Sequence, residues 1–253
     1  MAQKRPYPIA TSLDNVRHDV ERVTADLRSL YSWYRQPSTV THRGVRLQLD
    51  PWWATPPLRQ AIYEGFYEVA EYNVLAGTLK PGDRYLELGG GIGFLTTRAC
   101  QLIGAESVFS YEANPQLVQV IARTAGANGF HPTVQNAALG DTDAPVDFFI
   151  HDDFWTSSLQ ETPQTRRVEV PGRSFQAELE KIRPTYLMVD IEGGEIELLG
   201  SSALPDHVRA ICMEVHPGAA GEHATRDLLV KLMREGFSLD LAASGASVAF
   251  LSR

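Results

Sequence analysis

Cysteine is scarce in this chain. Only two of 253 residues carry a thiol, Cys100 and Cys212, and they stand far apart in apolar surroundings. A disulfide framework is excluded, and two buried, reduced thiols are expected. Long apolar runs are also missing, since none approaches the roughly 20 residues that span a bilayer. Residues Met1 to Pro8 hold charges and two prolines but no apolar core of signal-peptide length. A cytoplasmic protein without a membrane partner is expected. Basic residues are in deficit: 23 Lys and Arg face 31 Asp and Glu, for a net charge of −8. That balance disfavours a polyanion, so no nucleic-acid partner is expected. The remaining composition, 43% apolar and 21% charged, is that of a globular α/β domain with an N-terminal extension.

The extension is expected to occupy residues 1–80 as a helical cap. Apolar residues from Leu13 to Tyr34 recur at alternating steps of three and four, which predicts a helix over 12–35. Its stripe suits packing on the main domain or pairing with its copy in a homodimer. Val40 to Leu49 alternates as a hairpin does, with Arg43-Gly44 at its turn. Trp52 and Trp53 follow in a proline-rich loop and either line a pocket or wedge the extension onto the core; the wedge is preferred. Leu58 to Leu79 is helical, with a break near Gly65.

Beyond residue 80 the pattern becomes β-α-β-α-β, which implies a parallel sheet with helices on both faces. Tyr85 to Leu88 is a strand that enters the turn Gly89-Gly90-Gly91-Ile92-Gly93, and a helix follows from Phe94. Free backbone N–H groups and a helix N-terminus make this a ligand-binding corner. Gly89, Gly91 and Gly93 let the backbone approach a ligand closely. A dinucleotide fold would need a third glycine where Phe94 stands, so the ligand is expected to lack a diphosphate. Glu87 and Glu112 end the first two strands, where one acid would face an ammonium group and the other the ribose hydroxyls. Residues 143–172 interrupt the alternation as an inserted hairpin or flap. Val189-Asp190-Ile191-Glu192 and Glu214-Val215-His216-Pro217 end two further strands, and Phe237–Leu241 with Val248–Leu251 form an antiparallel edge pair.

These residues resemble the FkbM family of S-adenosylmethionine-dependent methyltransferases. The likeness runs from Tyr67-Glu68 to Pro217. It includes Leu86-Glu87-Leu88-Gly89-Gly90-Gly91-Ile92-Gly93, Tyr111-Glu112-Ala113-Asn114-Pro115, Ala138-Leu139-Gly140-Asp141, Ser157-Ser158-Leu159 and Asp190-Ile191-Glu192-Gly193-Gly194-Glu195. The resemblance implies a class I methyltransferase core over 81–253: a Rossmann-like, seven-stranded, mostly parallel sheet. It also implies methylation of hydroxyl groups on natural products, sugars or lipids. The chain departs from the family pattern at Glu87 (usually Asp), Gly91 (usually Asn) and Met188 (usually Lys). The expected cofactor contacts are Glu68, Glu87, Gly89, Gly91, Gly93, Glu112, Ala113, Asn136, Ala137 and Asp190.

An alcohol acceptor must lose a proton as it is methylated, which calls for a base. His216, Glu192 and Asp190 are the expected catalytic residues, with His216 closest in pKa to the task. The same acids and histidine could hold a hard divalent cation in place of a base; the base is preferred and no metal ligand is assigned. The expected function is methyl transfer from S-adenosylmethionine to a hydroxyl of a small molecule. The alternatives are transfer to nitrogen, which needs no strong base, and a non-catalytic nucleotide-binding relative.

Overall fold

The computed structural model describes residues 31, 34–151, 159, 165–216, 221–245 and 247–253. The helix expected over 12–35 falls outside these residues except for Tyr31, Tyr34 and Arg35, and so does the tip of the expected flap. Strands β1 (Thr39–His42) and β2 (Val45–Gln48) form an antiparallel hairpin. Arg43 and Gly44 both hold positive φ, 45° and 85°, as a tight two-residue hairpin turn requires. Helix α1 (Pro56–Glu64) starts on prolines and ends at left-handed Gly65, and α2 (Val69–Thr78) follows a four-residue break.

The central sheet comprises β3 (Tyr85–Leu88), β4 (Val108–Glu112), β5 (Thr133–Asn136), β10 (Tyr186–Val189), β11 (Ala210–Glu214), β12 (Ser238–Leu239) and β13 (Val248–Ser252). Their spatial order is β12-β13-β11-β10-β3-β4-β5, and only β13 runs against its neighbours. This is the expected seven-stranded, mostly parallel fold. The strand from Val248 lies inside the sheet, between β11 and β12, so only β12 stands at the edge. The third strand of the parallel series is short. It stops at Asn136, and after Ala137 the chain leaves the sheet as β6 (Ala138–Gly140), which pairs with β9 (Gly172–Ser174). Between them β7 (Val146–His151) and β8 (Thr165–Val170) pair antiparallel around their own small core of Phe148, Ile150 and Val170.

Both faces of the sheet are buried, which is why its strands read as near-continuous apolar runs. Side chains divide by the two-residue period. Tyr85, Tyr186, Met188, Ala210 and Cys212 join one cluster with the hairpin, α1, α2, α3 (Phe94–Ile103) and α4 (Pro115–Ala127). Leu86, Leu88, Leu187, Val189, Ile211 and Met213 join the other with α5 (Phe175–Ile182), α6 (Glu195–Ser201) and α7 (Glu222–Arg234). Trp53 is buried in the first cluster, as a wedge would be, while Trp52 is exposed and takes no part in it. The thiols of Cys100 and Cys212 are buried and unpaired. Among the described residues, no helix is long and apolar enough to cross a membrane.

Chain order reverses between β3 and β10. β3, β4 and β5 run outward on one side, and β10, β11 and β13 on the other. The crevice beyond the C-terminal ends of such strands is where open α/β sheets take ligands. Gly93 fixes one wall of it. Its φ is 79°, and a Cβ there would stand 2.8 Å from the Cα of Ile121 on α4. Gly93→Ala combines left-handed strain with overpacking and is expected to lower stability by about 2–4 kcal/mol in urea unfolding. A loss below about 0.5 kcal/mol would mean that α3 and α4 are not held at this distance.

Candidate active site

A cleft open to solvent lies across the C-terminal ends of β10, β3, β4 and β5. At the β10 end it is lined by Asp190, Ile191 and Glu192, with Glu68 and Tyr67 facing the glycine turn. Glu112 and Ala113 stand at its middle. Leu117, Ala137, Leu139, Phe148 and Leu159 form an apolar wall toward β5 and the β7–β8 hairpin. Four carboxylates and no Lys or Arg line this cleft among the described residues.

The backbone of the glycine turn is locked in place. The Gly89 N–H donates to Tyr111 O at 2.9 Å, and the Asp190 N–H donates to Leu88 O at 2.9 Å. A side chain on Gly89 would overlap the carbonyl oxygen of Asp190, so only glycine lets the β3 and β10 loops touch. Gly91, with φ 52°, presents its N–H to Glu112 Oε2 at 3.0 Å. The other oxygen of Glu112 accepts from the Asn114 N–H at 2.7 Å. Asn114 in turn caps α4 by accepting from Gln116 N–H. Burial outweighs these donors and pushes the Glu112 carboxyl up to about 7.

The sequence placed ten residues around the cofactor, and the structure divides them. Glu68, Gly89, Gly91, Glu112, Ala113, Ala137 and Asp190 line the cleft. Gly93 is a packing residue behind the turn. Asn136 stands one layer back and donates to the carbonyls of Glu112 and Ala113 at 2.8 and 2.9 Å, bracing the β4 end. Glu87 is the correction. Strand alternation turns it away from the cleft and into the core, where it is 1% exposed. Its carboxylate accepts from the hydroxyls of Tyr85 (2.9 Å), Ser110 (2.6 Å) and Thr96. An acid three hydroxyls deep beneath the turn cannot also meet an ammonium group in the cleft.

At the β10 end, His216 gathers the acids. Its Nε2 lies 3.4 Å from Glu192 Oε2 and 3.9 Å from Asp190 Oδ1 and Glu214 Oε2, and its Nδ1 lies 3.3 Å from Glu195 Oε1. Glu195 is fixed by the Ile191 N–H at 3.0 Å, and Glu214 by the Ser247 hydroxyl at 2.7 Å. The Glu195 carboxylate, helped by Glu192 and Glu214, holds the imidazole up at about 8 against its burial. Burial pushes Glu192 up to about 7. Asp190 is also pushed well up, by burial and then by its carboxylate neighbours, and its Oδ1 is buried without a hydrogen-bond partner. Asp190, Glu192 and His216 each bring one ligand-type atom within 4.8 Å of the others. His216 stands behind Asp190 and Glu192 rather than on the cleft wall.

Tyr67 and Leu159 line the cleft, although neither was expected among the site residues. Both lie within the stretches that carry the family likeness, and no chemical signature distinguishes an aromatic or leucine there from core.

The family profile described as Methyltransferase FkbM domain matches residues 87–239. No curated protein matches the sequence at a significant level. Similar solved structures include a methyltransferase from Pyrococcus furiosus, with 12% identity, 91% of this chain and 96% of that one covered, and a TM-score of 0.45. A TehB-like SAM-dependent methyltransferase from Corynebacterium glutamicum shows 13% identity, coverage of 78% and 94%, and a TM-score of 0.43. Magnesium protoporphyrin IX methyltransferase from Synechocystis, solved with bound SAM, shows 15% identity, coverage of 74% and 76%, and a TM-score of 0.40.

If Glu87 supports the turn from below, Glu87→Ala strands three buried hydroxyls. It should cost about 3 kcal/mol or more in urea unfolding, and Glu87→Gln, which keeps an acceptor oxygen, much less. An unchanged stability with weakened ligand binding would return Glu87 to the cleft.

Proposed function

Because the chain belongs to the methyltransferase FkbM domain family, we propose that it moves the methyl group of S-adenosylmethionine to a hydroxyl of a small molecule, a natural product or sugar. One observation carries this reading: Glu112, the glycine turn and the acids Asp190 and Glu192, with His216 behind them, follow one another along one cleft, in the order that a nucleoside, an amino-acid tail and an acceptor would need.

The residues fit the donor. Glu112 keeps lone pairs for two ribose hydroxyls after accepting its backbone donors. The apolar wall of Leu117, Ala137, Leu139 and Phe148 suits an adenine ring. Glu68, beside Gly91, suits the ammonium group. Asp190, with an unpartnered buried oxygen, suits the cationic end of the donor. When bound, S-adenosylmethionine supplies an electrophilic methyl, so the acceptor oxygen forms the new C–O bond while sulfur keeps the electron pair of the broken C–S bond. Glu192, on the cleft wall, receives the hydroxyl proton, and His216, 3.4 Å behind it, shares that proton. Glu195 orients the imidazole from its other nitrogen. Transfer to nitrogen would leave this assembly without a task, which favours oxygen. The spacing of Asp190, Glu192 and His216 would also admit a hard divalent cation. A labelled methyl-transfer screen over hydroxylated metabolites, run with and without chelator, separates the two. Turnover that survives chelation supports the proton-accepting pair, and turnover that chelation abolishes assigns activation to a cation.

Calorimetry with S-adenosylhomocysteine tests the donor. The wild type should bind, and Glu112→Ala should lose most affinity while staying folded. Absence of binding by the wild type would sink the methyltransferase reading.

The working form of the pair has Glu192 ionised and His216 neutral. With the two groups at about 7 and about 8, kcat should rise with pH through that range and level off above it. His216→Ala and Glu192→Ala should each lower kcat by about 10²–10⁴-fold and flatten the profile. Full turnover in both variants would point to a nitrogen acceptor.

A further inference from the structure

The β1–β2 hairpin is fastened to the methyltransferase core at three places. Gln101 of α3 donates to Gly44 O at 3.0 Å. Asn128, at the end of α4, accepts from Arg46 N–H and donates to Arg46 O, both at 2.9 Å. The third fastening is a histidine with no part in the chemistry above. His42 is 4% exposed, and its ring lies 4.7 Å from that of Phe94, the residue that replaces a third glycine after the turn. Its Nε2 stands 2.9 Å from the carbonyl oxygen of Tyr67, so that nitrogen carries the hydrogen and donates. Burial lowers the His42 pKa, which keeps the ring neutral.

The Tyr67 carbonyl belongs to the peptide bond that leads into Glu68. Glu68 holds φ 45° and ψ 37°, a left-handed conformation that strains a non-glycine residue and persists only where surroundings enforce it. That conformation sends Glu68 into the cleft. Glu68 Oε1 and Tyr67 Oη lie 3.7 and 3.6 Å from where a Gly91 side chain would begin. Phe94 completes the brace, since Tyr67 packs against it at 6.0 Å and Tyr72 stacks on it at 5.7 Å.

We propose that His42 is a positioning residue of the donor site: by holding the Tyr67 carbonyl it fixes Glu68 in its left-handed turn, with its carboxylate over Gly91 where the amino-acid end of the donor binds. The hairpin is then part of the cofactor site although none of its residues lines the cleft. This rests on the cleft taking S-adenosylmethionine. Phe94 serves two ends, since it displaces a dinucleotide's third glycine and seats the ring that aims Glu68.

The test dissects the ligand. S-adenosylhomocysteine carries the amino-acid tail, and 5′-methylthioadenosine lacks it. His42→Ala should weaken S-adenosylhomocysteine about tenfold, the size of one lost hydrogen bond, and leave methylthioadenosine unchanged. Glu68→Ala should show the same selectivity, and the double variant should lose little more than either single one. His42→Gln, which returns an N–H at the Nε2 position, should restore affinity. Equal weakening of both ligands in His42→Gln and His42→Ala, or no weakening of either, would overturn the inference. Failure of the wild type to bind S-adenosylhomocysteine would instead remove the reading on which it rests.

Discussion

The contact on which the rest depends is between two backbones. Gly89, at the end of β3, presses against the carbonyl of Asp190, at the end of β10, with no room for a side chain between them. β3 and β10 belong to the two oppositely wound halves of the sheet, so this contact closes the seam where chain order reverses. Because the loops touch, the glycine turn and the acid of β10 share one cleft. A Cβ at Gly89 would force them apart, and the glycine turn and Asp190 would lose their common wall. The hydrogen bonds from Gly89 to Tyr111 and from Asp190 to Leu88 extend the lock sideways across three adjacent strands, β10, β3 and β4.

Around that seam the protein uses carboxylates in two opposite ways. Glu87 and Glu112 end neighbouring strands and are both almost wholly buried. Glu87 takes three side-chain hydroxyls and becomes part of the core. Glu112 takes backbone N–H groups from the turn and from the start of α4, and so holds the ligand-binding loop while facing the cleft. Asp190, Glu192, Glu195 and Glu214 then converge on the one imidazole of His216. Burial pushes Glu192 up to about 7, and the Glu195 carboxylate holds His216 up at about 8, so the two lie in the range where proton transfer is useful. A cleft lined by four carboxylates and, among the described residues, no Lys or Arg favours a positively charged ligand.

Much of this was legible in the residues. The Arg43-Gly44 hairpin turn, the break at Gly65, the Asn114-Pro115 helix start and the β-α-β-α-β order follow from turn chemistry and periodicity, which are local. Glu112, Gly89, Gly91, Asp190 and Glu192 could be placed near the cleft from sequence because open parallel sheets gather the residues at their C-terminal strand ends into one crevice. Glu87 was misread because a strand-end acid carries no mark of which face it takes. One step of the two-residue period separates the cleft from the core. Met188 makes the same point from β10. It pairs in register with Glu87 and is buried in the first core cluster, so a lysine at this position would face the core rather than the cleft.

The sequence by itself determined the parts that depend on neighbours along the chain: strand and helix placement, the glycine turn and the chemical type of each site residue. The tertiary structure decided which of those residues meet. It brought His216 to Glu192 and Asp190 across 24 and 26 positions of sequence, and His42 to Tyr67 across 25. It moved the strand from Val248 inside the sheet, and it turned Glu87 into the core. The physical reason is that register, sheet order and the packing of the hairpin on α3 and α4 are set by burial summed over the whole core. A short stretch of chain carries its own periodicity but not the position of the surface it will pack against.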